Sequence, residues 1–237
     1  LCSSNTDFGD IADKSNSRVF RYPEDIPVSL QCGFEKNIGW LDILRIPGEH
    51  NKENILNAAF IMHVMGINDE QTIDILKNYP GIAHRLEFFY EWHCNNVTYK
   101  FYNDSAATVP EASVAALQSF KNNAHFIIGG TDKELDFEPL ANALKNPQAT
   151  QSLFLLAGTG TDKLLAMLKK TIPEAAYKGP YNDLSTLFSD MKDFLCAENN
   201  AGEHAVVFSP GATSFGMFKN EFDRGNIFKE SIKKIFT

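Results

Sequence analysis

The chain has 237 residues, 43% hydrophobic and 22% charged, the balance of a globular protein with room for one large core or two small ones. A net charge of −8 without any basic block excludes a nucleic-acid partner, because nothing is present to neutralise a run of phosphates. No apolar run reaches membrane-spanning length and no signal peptide opens the chain, which argues against a membrane partner. The four cysteines, Cys2, Cys32, Cys94 and Cys196, are scattered without a C-x-x-C pair and read as reduced thiols of a cytoplasmic protein.

Leu1 to Asp25 carry few signals beyond the short apolar stretch Arg18 to Tyr22. The chain opens at Leu1 in what reads as a strand end, so a fragment is expected. Ile26 to Gln31 and Trp40 to Ile46 alternate well enough to predict strands. Pro47 to Asn51 then opens a helix whose apolar face is Asn54, Ile55, Ala58, Ala59, Met62 and Val64, closed by Gly66. A shorter helix starts at Asn68 or Asp69, with Gln71 placed for capping, and stops before Pro80. Arg85 to Trp92 and Asn96 to Tyr102 predict a hairpin about Cys94-Asn95. Thereafter strands (His125 to Ile128, Ser152 to Ala157, Ala205 to Phe208) alternate with helices (Ala112 to Phe120, Phe137 to Leu144, Asp162 to Thr171, Leu184 to Leu195, Asp223 to Phe236). That alternation predicts an α/β fold, a Rossmann-like, mainly parallel sheet with helices on both faces, preceded by the end of another α/β domain. The boundary falls near Ile82, giving domains 1–82 and 83–237.

Residues of chemical interest gather at the ends of these strands. Asn103-Asp104-Ser105-Ala106-Ala107-Thr108 joins a strand to a helix opened by Pro110, where an open α/β sheet keeps its ligands. The plain alternative is a helix start capped by Thr108. Asn51 and Asn54 sit three apart on one helical face, where their amides can read a base edge or simply cap and face solvent. His84-Arg85 offers a guanidinium fork for phosphate or an ordinary surface pair. Ser209 to Gly225 runs from a buried strand through small residues and hydroxyls that let backbone N–H groups approach an anion. Gly158-x-Gly160 lacks the third glycine and the acidic partner of a dinucleotide site. No G-x-x-x-x-G-K-[ST] phosphate loop occurs in the chain.

Taken in order, Gly48-Glu49-His50-Asn51-x-x-Asn54, Ala83-His84-Arg85-x-Glu87, Asn103-Asp104-Ser105-x-Ala107-Thr108, Gly129-Gly130-x-x-Lys133 and the Ser209-to-Asn226 segment resemble the Mur ligase family. The resemblance runs from about Trp40 to the C-terminus. It implies a monomeric ATP-dependent amide ligase of peptidoglycan precursor synthesis, with the chain holding the end of its central domain, which is of ATPase type, and all of its C-terminal domain. The closest motifs imply addition of D-glutamate to UDP-N-acetylmuramoyl-L-alanine through an acyl phosphate, with ATP and magnesium. On the same resemblance, Asn51, Asn54 and His84 would contact the nucleotide, Asp104 the ribose hydroxyls, and Arg85 the transferring phosphate. Thr108, Lys133 and Ser214 would orient D-glutamate, with Phe215 beside it. The phosphate loop and magnesium ligands would lie upstream of Leu1, leaving this chain catalytically incomplete. Two departures stand out: Ala106 replaces a common lysine, and Glu221-Phe222 reverses the commoner aromatic-then-acidic order. A folylpolyglutamate-synthase-like or other Mur-type ligase, and a non-catalytic binding module on the same fold, remain the alternatives.

Overall fold

The computed structural model describes residues 2–3, 21–22, 25–31, 39–120, 123–146, 148–171, 177–198, 201–214 and 216–237. The chain divides into two compact units, Leu1–Arg45 with Glu49–Tyr79, and Ile46–Gly48 with Pro80–Thr237. No helix among the described residues is long and apolar enough to cross a membrane.

In the first unit, strands β1 (Cys2–Ser3) and β2 (Arg21–Tyr22) pair in parallel. The two strands expected next do not form. Val28–Gln31 is a single helical turn, α1, and Trp40–Ile43 is a 3-10 turn. Pro27 explains the first: its carbonyl accepts from Leu30 N–H, starting a turn where short apolar alternation alone reads as strand. Helix α2 (Glu49–Val64) buries Asn51, Ile55, Leu56, Ala59 and Phe60, a stripe rotated from the expected one, so Met62 and Val64 are exposed. Helix α3 (Asp69–Lys77) starts where expected, with Asn68 Oδ1 accepting from the Gln71 backbone N–H at 3.0 Å.

The second unit is built on a six-stranded sheet of order β3-β4-β8-β5-β6-β7. Its strands are β3 (Glu87–Cys94), β4 (Val97–Asn103), β5 (Ala124–Gly129), β6 (Ser152–Leu156), β7 (Tyr177–Tyr181) and β8 (Gly202–Phe208). The β3–β4 hairpin is antiparallel, and every other neighbour pair is parallel. Helices α4 (Pro110–Ser119), α5 (Glu138–Leu144), α6 (Thr159–Thr171), α7 (Leu184–Ala197) and α8 (Glu221–Ile235) link or follow the parallel strands. Strand β7 was missed by the sequence pattern because Tyr-Lys-Gly-Pro-Tyr has no apolar run to signal it. Pro110 does open α4, but its cap is Val109, without a side-chain bond, and Thr108 caps nothing.

Period-two alternation divides the core between the two faces of the sheet. Phe126, Ile128, Leu153, Leu155 and Val207 face α4, α5 and α6. Ile127, Phe154, Leu156, Val206 and Phe208 face α7 and α8, with Phe188, Phe228 and Phe236. Strand β8 therefore stands between β4 and β5, whose following helices cover the face opposite its own. That reversal opens a crevice at the carboxyl ends of β4, β8 and β5.

The opposite, amino-terminal edge holds two features that local sequence did not reveal. Cys94 and Cys196 form a disulfide with Cα atoms 5.8 Å apart, which corrects the expectation of four reduced thiols. Their separation of 102 residues hid the pairing, which ties the hairpin to the end of α7. Beside it, His125 is fully buried and stacked on His204, its Nδ1 2.8 Å from Ser152 Oγ and its Nε2 3.6 Å from Glu198 Oε2. Burial, and secondarily the charge of His204, draw its pKa down to about 3.

Closing so long a loop contributes typically about 2–4 kcal/mol, so reductant should lower Tm by roughly 5–15 °C in the native chain and leave a Cys94→Ser variant unmoved. An unaltered melting curve in reductant would mean the two sulfurs are not bonded. His125 is neutral in the fold, whereas the unfolded chain takes up its proton below about pH 6.5. Stability is therefore present above that pH and is lost as pH falls towards 3. Between pH 6.5 and 5 the loss should be about 2 kcal/mol, and His125→Leu should flatten that part of the curve. The check is urea denaturation at a series of pH values, and identical slopes in both proteins would rule out a buried neutral imidazole.

Candidate active site

At the carboxyl ends of the parallel strands lies a cavity of about 280 Å³, near the lower end of the roughly 300–1,000 Å³ common for small-molecule sites. Gly129 at the end of β5 with Gly130 and Thr131 beyond it, Ala157 and Gly158 after β6, Asn182 after β7, Thr213, Ser214, Gly216 and Met217 after β8, and Arg224 of α8 are among its lining. The tightness is steric. Gly158 has φ 153° and faces the backbone of Gly130, so that a Cβ there would collide with the Gly130 carbonyl. An isolated bridge between Thr131 and Thr213 locks the two rims together, with Thr213 Oγ1–H donating to Thr131 carbonyl at 3.0 Å.

Arg224 gives the cavity its charge. Its side chain is 1% exposed. Nη1 donates to Ala212 carbonyl at 2.9 Å and Nη2 to Ser105 carbonyl at 2.7 Å, while Nε has no partner among the described residues. Burial lowers its pKa to about 10, against the raising charges of Glu221 and Asp104, so it stays cationic near neutrality. Its two hydrogen-bonding contacts are neutral carbonyls, so its charge is offset at longer range, by Glu221 and Asp104. Helix α6 starts at the same rim and adds the positive end of its dipole. The cavity is thus suited to a small anion.

Beside it, Asp104 is 5% exposed. Oδ1 accepts from Leu86 N–H at 3.1 Å and Oδ2 from Ser209 Oγ–H at 2.7 Å. Burial raises its pKa to about 6, although Ser209, Leu86, Arg85 and Arg224 all act in the opposite direction. His84 is buried too, its Nδ1 3.2 Å from Ser105 Oγ and 3.0 Å from Asn103 Nδ2, and burial lowers its pKa. Arg85 between them is exposed.

Among the other residues of interest, Ser214 lines the cavity, Thr108 is half-buried ahead of α4, and Lys133 is exposed two positions beyond Thr131. Phe215 lies outside the described residues. Asn51 is buried and Asn54 exposed in the first unit, so the two amides are not presented alike. Phe222 does not wall the cavity; it packs edge-on against His84 with ring centroids 5.4 Å apart. Sequence reading placed Arg224 in the Ser209-to-Asn226 motif without giving it a role, and did not pick out Asn182. An arginine in the apolar α8 repeat followed by glycine was the one available signal.

Comparison with known proteins decides the kinship. A UDP-N-acetylmuramoylalanine–D-glutamate ligase of Treponema pallidum is 44% identical over 161 residues, 68% of this chain and 28% of its own length. Ligases of the same name from Thermoanaerobacter sp. and Clostridium tetani are 34% and 32% identical over 89% and 94% of the chain. The chain belongs to the Mur ligase family. It spans less than half the length of these relatives, between 28% and 45%. No protein-family model matches it. Among solved structures, a Thermotoga maritima UDP-N-acetylmuramate–alanine ligase superposes with TM-score 0.54 at 16% identity, over 81% of this chain and 39% of that one. A Mycobacterium tuberculosis folylpolyglutamate synthase does so with TM-score 0.51 at 13% identity, over 79% of this chain and 42% of its own length. Both likenesses speak to the fold.

Helix α8 lies so close to the His84 turn that a Cβ on Gly225 would run into the imidazole and Ser105 Oγ. Gly225→Ala should therefore cost about 1–3 kcal/mol through overpacking, despite the better helix propensity of alanine. Chemical denaturation checks it, and a stabilised variant would show that the helix can shift freely.

Proposed function

We propose that this Mur ligase chain supplies the end of the central domain (1–82) and the C-terminal domain (83–237) of an ATP-dependent ligase. That ligase adds D-glutamate to UDP-N-acetylmuramoyl-L-alanine for peptidoglycan. The observation that carries the acidic-substrate reading is the buried Arg224 guanidinium at the wall of a small cavity, with its two hydrogen bonds made to neutral carbonyls. The names of the relatives support D-glutamate as the amino acid.

In this reading the amino acid lies at the β5–β8 crevice. Arg224 and the α6 terminus draw in its carboxylates, Ser214 and Thr108 offer hydroxyls, and Lys133 offers an ammonium. Orientation is the main service: the amine is held to attack a carboxylate activated by phosphoryl transfer from ATP. Arg85 stabilises the charge that grows on the transferring group. Asp104 takes the ribose through the lone pairs its two hydrogen bonds leave open, and Asn51, Asn54 and His84 serve the nucleotide side. Ala106 supplies no cation where lysine is common, which leaves Lys133 and Arg224 to hold the charge.

Among the described residues no group of three or more His, Cys, Asp or Glu side chains could hold a metal ion. No step is therefore routed through magnesium. The chain also lacks a G-x-x-x-x-G-K-[ST] loop, so by itself it should form no amide.

The test is ligation by the complete enzyme, read as phosphate release that requires both UDP-N-acetylmuramoyl-L-alanine and D-glutamate. Steady ligation by this chain alone would sink the division of labour. In the complete enzyme Lys133→Ala removes a charge-assisted bond of about 1.5–3 kcal/mol, hence about tenfold to a hundredfold in kcat/KM for D-glutamate. KM for ATP should barely move. A change below about twofold would return Lys133 to the solvated surface.

A further inference from the structure

Glu87, Lys229 and Phe222 have no role in the chemistry above, yet they converge on one turn. His84 and Leu86 both adopt positive φ, 66° and 43°, a conformation unfavourable for residues with a Cβ. Two such residues within three positions persist only where the surroundings hold them. Here the backbone N–H of His84 donates to Glu87 Oε2 at 2.9 Å, and Asn103 Nδ2 donates to the same oxygen at 3.1 Å. Lys229 Nζ closes on both carboxylate oxygens, at 2.9 and 3.2 Å. The far side of the turn is held by Ala106 N–H to His84 carbonyl and by Leu86 N–H to Asp104.

Lys229 belongs to α8, and so do the other contacts. Phe222 packs on the His84 ring, and Gly225 lets the helix approach it. Phe222, Gly225 and Lys229 stand at i, i+3 and i+7, one face of the helix. The same helix carries Arg224 to the cavity. Arg85 sits between the two strained residues, with its backbone N–H on Ile82 carbonyl and its side chain exposed.

We infer that Glu87, gripped by Lys229, is a positioning residue that holds the strained His84–Leu86 turn, presents Arg85 at the sheet's carboxyl end, and ties it to the helix beneath the amino-acid cavity. The inference rests on the role proposed for Arg85. Burial raises the pKa of Glu87, but the His84 N–H and Lys229 outweigh it and the net shift is downward, so the grip is ionic at neutral pH.

The experiment pairs amide hydrogen exchange on this chain with ligation kinetics of the complete enzyme. Glu87→Gln keeps the shape and removes the charge. It should speed exchange at the His84 amide by about tenfold to a hundredfold, with β5 amides unchanged. Ligation should lose about tenfold or more in kcat, with KM for D-glutamate within about twofold. Lys229→Met should give the same pattern, and the double variant should add little, as expected for one coupled unit. Unchanged His84 protection in both variants would overturn the inference whatever the substrate. A loosened turn with full kcat, in an enzyme that Arg85→Ala inactivates, would overturn the coupling to Arg85 and leave the functional reading intact. A complete enzyme that ligates no D-glutamate, with the turn loosened by both variants, would overturn that reading while upholding Glu87's hold on the turn.

Discussion

A single buried cation organises the carboxyl end of the sheet. Arg224 reaches from α8 to the carbonyls of Ser105, beyond β4, and Ala212, beyond β8, and so ties together two loops that no shorter side chain could bridge. Burying an ionised guanidinium is costly, and neutral carbonyls only partly compensate. The arrangement makes sense as a device for attracting charge into the cavity. It also explains why the loops around it are so rich in small residues: the guanidinium occupies the space that larger side chains would need.

The sheet topology makes this possible. With helices on opposite faces after β4 and β8, and again after β8 and β5, a gap opens on each side of the β8 end, the one towards β5 bridged at its rim by Thr131 and Thr213. One gap receives the cavity between Gly130 and Ser214. At the other, Asp104 is bonded to Ser209 and Leu86. Equivalent positions in the sheet thus differ sharply in exposure. The buried carboxylate, whose pKa is pushed up to about 6, contrasts with the exposed Arg85 one turn away. At the sheet's other edge the disulfide and the histidine stack hold the strands without touching the chemistry.

Phe222 shows how one reversed pair of residues changes meaning in three dimensions. Read along the chain, Glu221-Phe222 displaces an aromatic wall of the amino-acid cavity. In the fold the ring at position 222 packs on His84, about 100° round α8 from the side chain at 221.

The sequence by itself determined the alternation of apolar strands and amphipathic helices, the parallel sheet, the capped helix at Asn68, and the strand-end motifs that carry Asp104, Ser214 and Lys133. These are local signals, set by side-chain period and turn chemistry. It could not determine that helical turns form at Val28–Gln31 and Trp40–Ile43, where strands were expected, since short apolar runs fit either period. Nor could it reveal strand β7, which is held by its neighbour β6 more than by its own propensity. Only the tertiary structure decided the Cys94–Cys196 pairing, the burial of Arg224 and the ionic hold of Lys229 on Glu87, 142 residues away. Each depends on which strands become neighbours, and strand order is fixed by packing across the whole sheet.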